Sequence, residues 1–370
     1  MDGDGFLHPE GTAWLQFLTD AGRSPNTVRS YGSRVAWYLS WCALTMDWRK
    51  ATLNHLVLWR RTLTATAVSN PHGCSSFRSQ STVGVWMVAV RSFYEWADGH
   101  ALLGGDLMSR MTELKYFAPG TASGGEHGSV RRVLVDELRT KRFGGGPPEW
   151  IDNGGARDRL AELSLPCRDR FLVDLLNTTG IRVGEALSLF VADVHFGGGS
   201  PQLRCRYVDP HLHVRVDNPV ENGVRAKGKA RMLFVHCDVV DSYVDYALER
   251  RGTLAAHGIA DVSAHLFVNL YCEVRWLGRA MTYSSVRRLM ERCSKRIDFD
   301  IGGPHTLRHT LATKLVRGLD CDPVPLDVVQ EILGHAVLSS TRIYTHDEEA
   351  AMKAAMMAMA ARPALQCGDR

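Results

Sequence analysis

The sequence lacks long apolar runs, closely spaced cysteine pairs and a strong charge bias, and each absence argues against a class of protein. No stretch of its 370 residues approaches the roughly 18 uncharged apolar residues that a membrane-spanning helix needs. Residues 1–4 are acidic and show no signal-peptide pattern. The nine cysteines, an odd number, contain no CxxC pair. The sequence therefore predicts a cytoplasmic protein with reduced thiols and no membrane partner.

The net charge says little about possible partners, whereas the ratio of arginine to lysine is more informative. A net charge of +4 is too small to indicate a nucleic-acid partner by itself. Arginine, however, greatly outnumbers lysine. Because a guanidinium group is permanently charged and contacts phosphate in a bidentate manner, this bias is compatible with a phosphate-bearing partner. A GC-rich genome produces the same bias, so composition leaves both explanations open.

The length of the chain predicts two domains, because one hydrophobic core rarely extends over so many residues. Residues 1–110 show helical periodicity, with Ser24-Pro25 as a helix start, and predict a helical bundle. Residues 111–146 are basic and interrupted by glycine and proline, which predicts an interdomain linker with a short helix near residues 133–138.

The second domain is expected over residues 147–370, with a helical tail at 348–370. Helical segments in this region flank strand-like stretches at 203–207, 211–216 and 232–235. The predicted fold class is therefore mainly α with a small antiparallel β-sheet.

A group of cysteines and histidines in the strand region raises the question of a metal site. It comprises Cys205, His211, His213, His236 and Cys237. Their spacing matches no zinc motif, and His211 and His213 follow the alternation of a strand. Solvent-facing strand histidines are the favoured interpretation, so the sequence predicts neither a metal site nor a cofactor.

Several short fragments carry side chains suited to phosphate chemistry. They are Thr179-Gly180-Ile181-Arg182, Lys227 in a basic turn, His305-Thr306-Leu307-Arg308, and Leu333-Gly334-His335 followed nine residues later by Tyr344. Each fragment alone also fits a surface arginine, a solvated turn or a packed tyrosine. Residues three apart on a helix point to the same side, so His305 and Arg308 are expected to face one site. Together the fragments supply fixed cations and a phenol, which suit phosphodiester cleavage without a metal.

In their order and spacing, these fragments resemble the tyrosine recombinase (phage integrase) family. The family pattern reads T/A-G-x-R-x-x-E, a lysine in a β-hairpin, H-x-L-R-H, L-G-H and a tyrosine nine residues on. The resemblance covers the second domain end to end, and the N-terminal helices resemble the family's core-binding, SAM-like domain. Two features depart from the pattern. The loop over 197–222 is longer than usual, and a shortened lysine motif leaves Lys227 or Lys229 open as the catalytic lysine, with Lys227 favoured.

The resemblance and the chemistry of the side chains imply a role for each candidate. Arg182 and Arg308 suit the two non-bridging phosphate oxygens. Tyr344 is the expected nucleophile, and its ordinary pKa of about 10 means that it needs a base or a positive field, for which His305 is the candidate. Lys227 is expected to protonate the leaving 5′-oxygen, and His335 to hydrogen-bond the phosphate.

The implied activity is site-specific DNA recombination through a covalent 3′-phosphotyrosine, without metal or ATP. The expected partners are double-stranded DNA with specific recombination sites and further copies of the chain, assembled as a tetramer through the tail at 348–370. Met352, Met356 and Met359 fall on one helical face of that tail. Two alternatives remain open: a type IB topoisomerase-like nicking-closing enzyme, and a catalytically silent DNA-binding relative.

Overall fold

The computed structural model describes most of the chain, and the chain divides into two compact units. The units are Met1–Gly146 and Pro147–Arg370. The described residues are 7–69, 75–119, 127–140, 150–152, 154–197, 204–218, 221–224, 226, 229–319 and 321–335. None of the helices within these ranges combines the length and apolar character required to cross a bilayer.

The first unit is built from five helices among its described residues. They are α1 (Pro9–Asp20), α2 (Pro25–Thr45), α3 (Leu53–Ala65), α4 (Gln80–Gly99) and α5 (Leu107–Met111). The predicted start of α2 is confirmed, because Ser24 Oγ accepts a hydrogen bond from Thr27 N at 3.2 Å and Pro25 fills the first turn. Ser79 caps α4 in the same way through Thr82 N. Two short strands, β1 (Ala67–Ser69) and β2 (Ser75–Phe77), pair antiparallel.

The core of the first unit is rich in aromatic side chains. Trp14, Tyr38, Phe93 and Tyr94 are fully buried. Tyr94 Oη donates to Trp48 O at 2.9 Å and lies 2.7 Å from Tyr38 Oη, so the two buried hydroxyls satisfy each other. The helices thereby bury polar tips together with large apolar rings, as a stable aromatic core requires.

The segment expected to be a linker contains regular structure. Strands β3 (Thr112–Phe117) and β4 (Ser129–Leu134) pair antiparallel, with Thr112 opposite Leu134 and Phe117 opposite Ser129. Leu134 and Leu138 are buried in the aromatic core of the first unit. The short helix predicted near residues 133–138 is not present, because residues 133 and 134 pair with β3. Residues 136–138 form only a turn, in which Leu138 N and Arg139 N both donate to Val135 O at 3.0 Å.

The second unit combines helices with one three-stranded sheet. Its described helices are α6 (Gly154–Glu162), α7 (Cys167–Thr179), α8 (Val183–Ala186), α9 (Cys237–Ala256), α10 (Tyr283–Ile297), α11 (Pro304–Arg317) and α12 (Leu326–Leu333). The sheet has the antiparallel order β5-β6-β7, with β5 at Val194–His195, β6 at His211–Val214 and β7 at Arg231–Phe234. The prediction of a mainly helical protein with a small antiparallel sheet is confirmed.

Three details of the strand region differ from the sequence-based prediction. The two-residue strand β5 was not predicted, and residues 204–207 are not a strand. His211 is fully buried, so the interpretation of solvent-facing strand histidines is wrong for this residue. His236 and Cys237 are exposed at the start of α9, where they form a group with Asp238 apart from the other histidines.

Candidate active site

Two helices of the second unit end at glycines whose left-handed backbone allows a close approach of other elements. Helix α7 ends at Gly180 with φ of 60°, and α12 ends at Gly334 with φ of 62°. A Cβ atom at Gly180 would lie 2.9 Å from the Leu311 side chain. At Gly334 it would lie 2.7 Å from Arg231 Nη1. Glycine is therefore required at both positions for backbone geometry and for space.

Arg308 joins the ends of these two helices. Its side chain projects from α11 and is almost completely buried, with 3% of the residue exposed. Nη1 donates to Gly180 O and Nη2 to Leu333 O, both at 2.6 Å. Since helix C-termini carry partial negative charge on their unpaired carbonyls, a buried guanidinium is favoured there.

Two further arginines contact the end of α12. Arg182 Nη2 donates to Gly334 O at 3.3 Å, and Arg231 Nε donates to Ile332 O at 2.9 Å. With Leu333 O bound to Arg308, the carbonyls of three successive residues accept hydrogen bonds from three different arginines. These arginines come from the start of α8, from β7 and from α11. We call this group the arginine cluster: Arg182, Arg231 and Arg308.

Glu185 is the counter-ion of two members of the arginine cluster, Arg182 and Arg231. Its carboxylate, 1% exposed, accepts hydrogen bonds at 2.8 Å from both Arg182 Nη1 and Arg231 Nη2. It also accepts a bond of 3.0 Å from Arg182 N, which closes the first turn of α8. Burial alone would raise the pKa of this carboxyl, but the hydrogen bonds and charges of Arg231 and Arg182 lower the pKa overall. The carboxylate therefore stays ionised and holds both guanidinium groups in place.

Two histidines near the arginine cluster, His305 and His335, are in the neutral form. Burial, followed by the charges of Arg308 and Arg182, lowers the pKa of His305. The same causes lower the pKa of His335 to about 4. His335 N donates to Gln330 O at 3.0 Å, so the residue is fixed just beyond the end of α12. At neutral pH both rings are uncharged and keep one nitrogen as a hydrogen-bond acceptor.

The structure brings together four of the six residues singled out in the sequence. Arg182, His305, Arg308 and His335 lie around the end of α12, linked by the contacts and charge effects above. Lys227 and Tyr344 lie outside the described residues. Lys229, the alternative lysine, is exposed in the segment before β7.

Sequence reasoning missed the two residues that hold the cluster together. Glu185 belongs to the quoted motif, and its position three residues after Arg182 is the signal of a helix-capping partner. Arg231 follows the basic turn and looks like part of it in the sequence. Its side chain is only 6% exposed, which distinguishes it from a solvated turn residue. No local pattern predicts that burial.

Family comparisons cover both units of the chain. The sequence model of the phage integrase family matches residues 158–351. The model of the N-terminal SAM-like domain of phage integrases matches residues 12–99.

Individual relatives match over most of their length. Tyrosine recombinase XerD of Halalkalibacterium halodurans is 24% identical over 347 residues, which span 91% of this chain and 94% of the relative. Transposase A from transposon Tn554 of Staphylococcus aureus is 25% identical over 361 residues, spanning 92% and 88%. The Tn1549 transposon integrase, solved in complex with a circular intermediate DNA, shares the fold with a TM-score of 0.57. That match has 13% identity and covers 94% of this chain and 99% of the integrase.

Replacing Glu185 with glutamine should destabilise the protein strongly. Glu185→Gln removes the only negative charge in direct contact with Arg182 and Arg231 among the described residues and leaves both guanidinium groups under-compensated. We expect the free energy of unfolding, measured by urea titration, to fall by about 2–4 kcal/mol. The matched control is Glu291→Gln, which breaks the exposed pair with Arg287 on α10 and should cost less than about 0.5 kcal/mol. Equal losses in the two variants would contradict a clamping role for Glu185.

The histidines of the second unit should make the protein less stable in mild acid. Burial is the main cause that lowers the pKa of His309 and of His335 to about 4, whereas both titrate near 6.5 in an unfolded chain. Between these values the unfolded chain binds more protons, so the free energy of unfolding falls as the pH decreases from about 7 to about 5. After allowance for solvent screening, we expect a loss on the order of 1 kcal/mol per histidine.

Urea titrations of the wild type and of His309→Gln at several pH values measure this effect. The variant has one of the two groups removed, so its stability should change less between about pH 7 and about pH 5. The same pH dependence in both proteins would show that His309 titrates normally in the folded state.

Proposed function

The chain belongs to the phage integrase family of tyrosine recombinases, which are DNA strand-exchanging enzymes. On this basis we propose that it is a site-specific DNA recombinase that cleaves and rejoins strands through a covalent 3′-phosphotyrosine on Tyr344. The reaction is proposed to need neither a metal ion nor ATP.

The charge balance of the arginine cluster is the observation that carries this proposal. Two of its three guanidinium groups, those of Arg182 and Arg231, share the buried carboxylate of Glu185, whereas Arg308 donates to the backbone carbonyls of Gly180 and Leu333. The neighbouring His305 and His335 are neutral. Among the described residues the cluster therefore carries more positive than negative charge in a partly desolvated place, where it interacts strongly with an anion. A phosphodiester approaching its five-coordinate transition state gains negative charge on its non-bridging oxygens. Arg182 and Arg308 are the groups proposed to hold those oxygens.

The first chemical step exchanges one phosphate ester for another. The phenol oxygen of Tyr344 attacks the phosphorus and forms a new P–O bond, while the bond to the 5′-oxygen of the deoxyribose breaks. His305 takes the phenol proton, which its lowered pKa allows because the ring is neutral before the reaction. Lys227 gives a proton to the leaving 5′-oxygen. His335 hydrogen-bonds the phosphate throughout.

The second step runs the same chemistry in the opposite direction. A 5′-hydroxyl from the partner strand gives its proton to Lys227 and attacks the phosphotyrosine, the bond to Tyr344 breaks, and the phenol recovers a proton from His305. Because one ester replaces another at each step, the free energy of the original bond is conserved. Cutting and rejoining of two strands in turn then recombines two DNA sites.

The first unit offers surfaces suited to the DNA backbone. In the hairpin β3–β4, Lys115 stands directly opposite Arg131, and both side chains are exposed. Like charges directly opposite each other destabilise a hairpin, so a bound polyanion would stabilise this one. The match to the SAM-like domain of phage integrases and the DNA complex of the Tn1549 integrase support a DNA-binding role for this unit.

The active assembly is proposed to be a tetramer on DNA, linked through residues 348–370. This tail lies outside the described residues, and the proposal rests on its alanine- and methionine-rich composition. A cytoplasmic location is proposed as well. It is supported by the cysteines of the described ranges, all of which are free thiols.

Covalent trapping tests the nucleophile. A suicide DNA substrate, nicked so that the 5′-hydroxyl diffuses away, should accumulate a protein–DNA adduct that survives denaturing electrophoresis. Tyr344→Phe lacks the attacking oxygen and should give no adduct while it still binds the same DNA. Binding without any adduct from the wild type would leave the catalytically silent DNA-binding role.

Paired-site assays separate the recombinase from the topoisomerase alternative. A recombinase should exchange strands between two copies of its site and should leave a plasmid without that site supercoiled. Relaxation of any supercoiled plasmid, with no product from paired sites, would support the type IB topoisomerase instead.

Removal of the tail tests the proposed assembly. A chain ending at Asp347 should fold and bind a single site normally, because both described cores lie upstream. We expect it to lose most paired-complex formation in native gel electrophoresis. A truncated protein that recombines paired sites at the wild-type rate would refute the role of the tail.

A further inference from the structure

A second cluster of polar side chains lies on the sheet of the second unit. His195 of β5 pairs directly with His211 of β6, and His213 follows two residues further along β6. Because side chains alternate between the faces of a strand, these three imidazoles share one face of the sheet. Cys205, in the loop before β6, joins them. One potential ligand atom from each of the four residues lies within 4.8 Å of all the others.

The distances within this group approach those of a tetrahedral metal site. His195 Nδ1 lies 3.1 Å and Cys205 Sγ 3.0 Å from the same atom, His211 Nε2. A zinc ion bound at about 2.0–2.1 Å by nitrogen and about 2.3 Å by sulfur sets neighbouring ligand atoms roughly 3.3–3.6 Å apart. The observed separations are slightly shorter, so small rotations of the side chains suffice to admit the ion.

Backbone carbonyls fix the protonation of two of the rings. His195 Nε2 lies 3.2 Å from Ala192 O, and His211 Nδ1 lies 2.7 Å from Asp209 O. A carbonyl oxygen only accepts hydrogen bonds, so each of these nitrogens carries the ring hydrogen. In the neutral rings, His195 Nδ1 and His211 Nε2 then face each other as two lone pairs. Metal-bound histidines show the same arrangement, with the outer nitrogen donating to a carbonyl and the inner one bound to the ion.

Hydrogen bonds among these four side chains do not give every ring nitrogen a partner. The thiol hydrogen of Cys205, or a proton shared with His195, provides a partner for His211 Nε2. His213 Nε2 is buried and has no hydrogen-bond partner within the described ranges. An unpaired buried nitrogen costs free energy, which a bound cation would recover.

We propose that His195, Cys205, His211 and His213 bind a structural zinc ion. One thiolate and three imidazoles form a donor set that zinc prefers, and four protein ligands leave no open position for catalysis. The site is independent of the recombinase chemistry proposed above. It lies where the chain departs from the family pattern, since Cys205 and His211 fall within the longer segment over 197–222, which contains β6.

The proposed ion would fix this extended segment to the sheet. It would tie the loop that precedes β6 to both β5 and β6. Strand β6 pairs with β7, where His213 stands opposite Met232, the neighbour of Arg231 in the arginine cluster. In the sequence, Lys227 lies between these two strands. The ion would therefore influence the position of β7, which supplies Arg231 to the candidate active site.

Metal content and cobalt substitution test the proposal on the full-length chain. The wild type purified without chelators should contain about one zinc ion per chain, measured by elemental mass spectrometry. After replacement by Co²⁺, it should show the visible absorption of tetrahedral cobalt and a thiolate-to-cobalt charge-transfer band. Cys205→Ser should lose the charge-transfer band, and the double variant His195→Ala/His213→Ala should lose stoichiometric metal.

Cys237→Ser is the matched control, because Cys237 is exposed and stands beside His236 and Asp238. It should keep both the zinc and the cobalt spectrum. The proposal is overturned if the wild type binds no stoichiometric zinc or Co²⁺, or if Cys237→Ser alone removes the metal.

Alkylation of wild-type thiols gives a second readout that does not depend on variants folding. Zinc should slow the modification of Cys205 by iodoacetamide at least about tenfold, because the bound thiolate is not free to react. The modification of Cys237 should be unchanged. Equal rates for Cys205 with zinc and with a chelator would contradict the proposal, and these outcomes leave the test of Tyr344 unaffected.

Discussion

The last turn of α12 is the constraint on which the candidate active site depends. Three successive carbonyls there accept hydrogen bonds from three arginines that arrive from α8, β7 and α11. The helix end offers partial negative charge, and Glu185 supplies a full one. One helix terminus thus joins elements that are distant in sequence. A site of this kind is rigid because each guanidinium is held from two sides, which suits the positioning of phosphate oxygens.

The candidate active site depends on where the positive charges are placed and not on the net charge of the chain. The chain carries a net charge of only +4, yet its arginine cluster gathers three cations at the end of α12, two of which share one buried carboxylate. The same positive groups lower the pKa of His305 and His335 after burial has done so, and keep the rings neutral. The arginine cluster therefore supplies fixed cations and also keeps the two histidines neutral and able to accept a proton. Such a site is prepared for an anion before the anion arrives.

The sheet of the second unit connects two chemically different groups. Its β7 edge supplies Arg231 to the arginine cluster, whereas β5 and β6 carry the three histidines that meet Cys205. Because β6 pairs with both neighbours, a constraint on one side of the sheet is transmitted to the other through the register of the strands. The segment over 197–222, which is longer than in the family pattern, contains β6, and the proposed zinc ion would attach its Cys205 to the sheet.

The sequence by itself determined the features that depend on local spacing. Each of these features depends only on residues that are close in the sequence. They are the helix periodicity, the Ser24 cap, the glycines that end α7 and α12, and the pairing of His305 with Arg308. The order of the motifs was sufficient to indicate the family and to single out the candidate residues, of which Lys227 and Tyr344 stay predictions. Only the tertiary structure decided that Arg231 is buried, that Glu185 bridges two arginines, that residues 129–134 pair as a strand, and that His195 meets Cys205. These facts depend on contacts between distant segments, and local patterns carry no information about burial or about which strand becomes the neighbour.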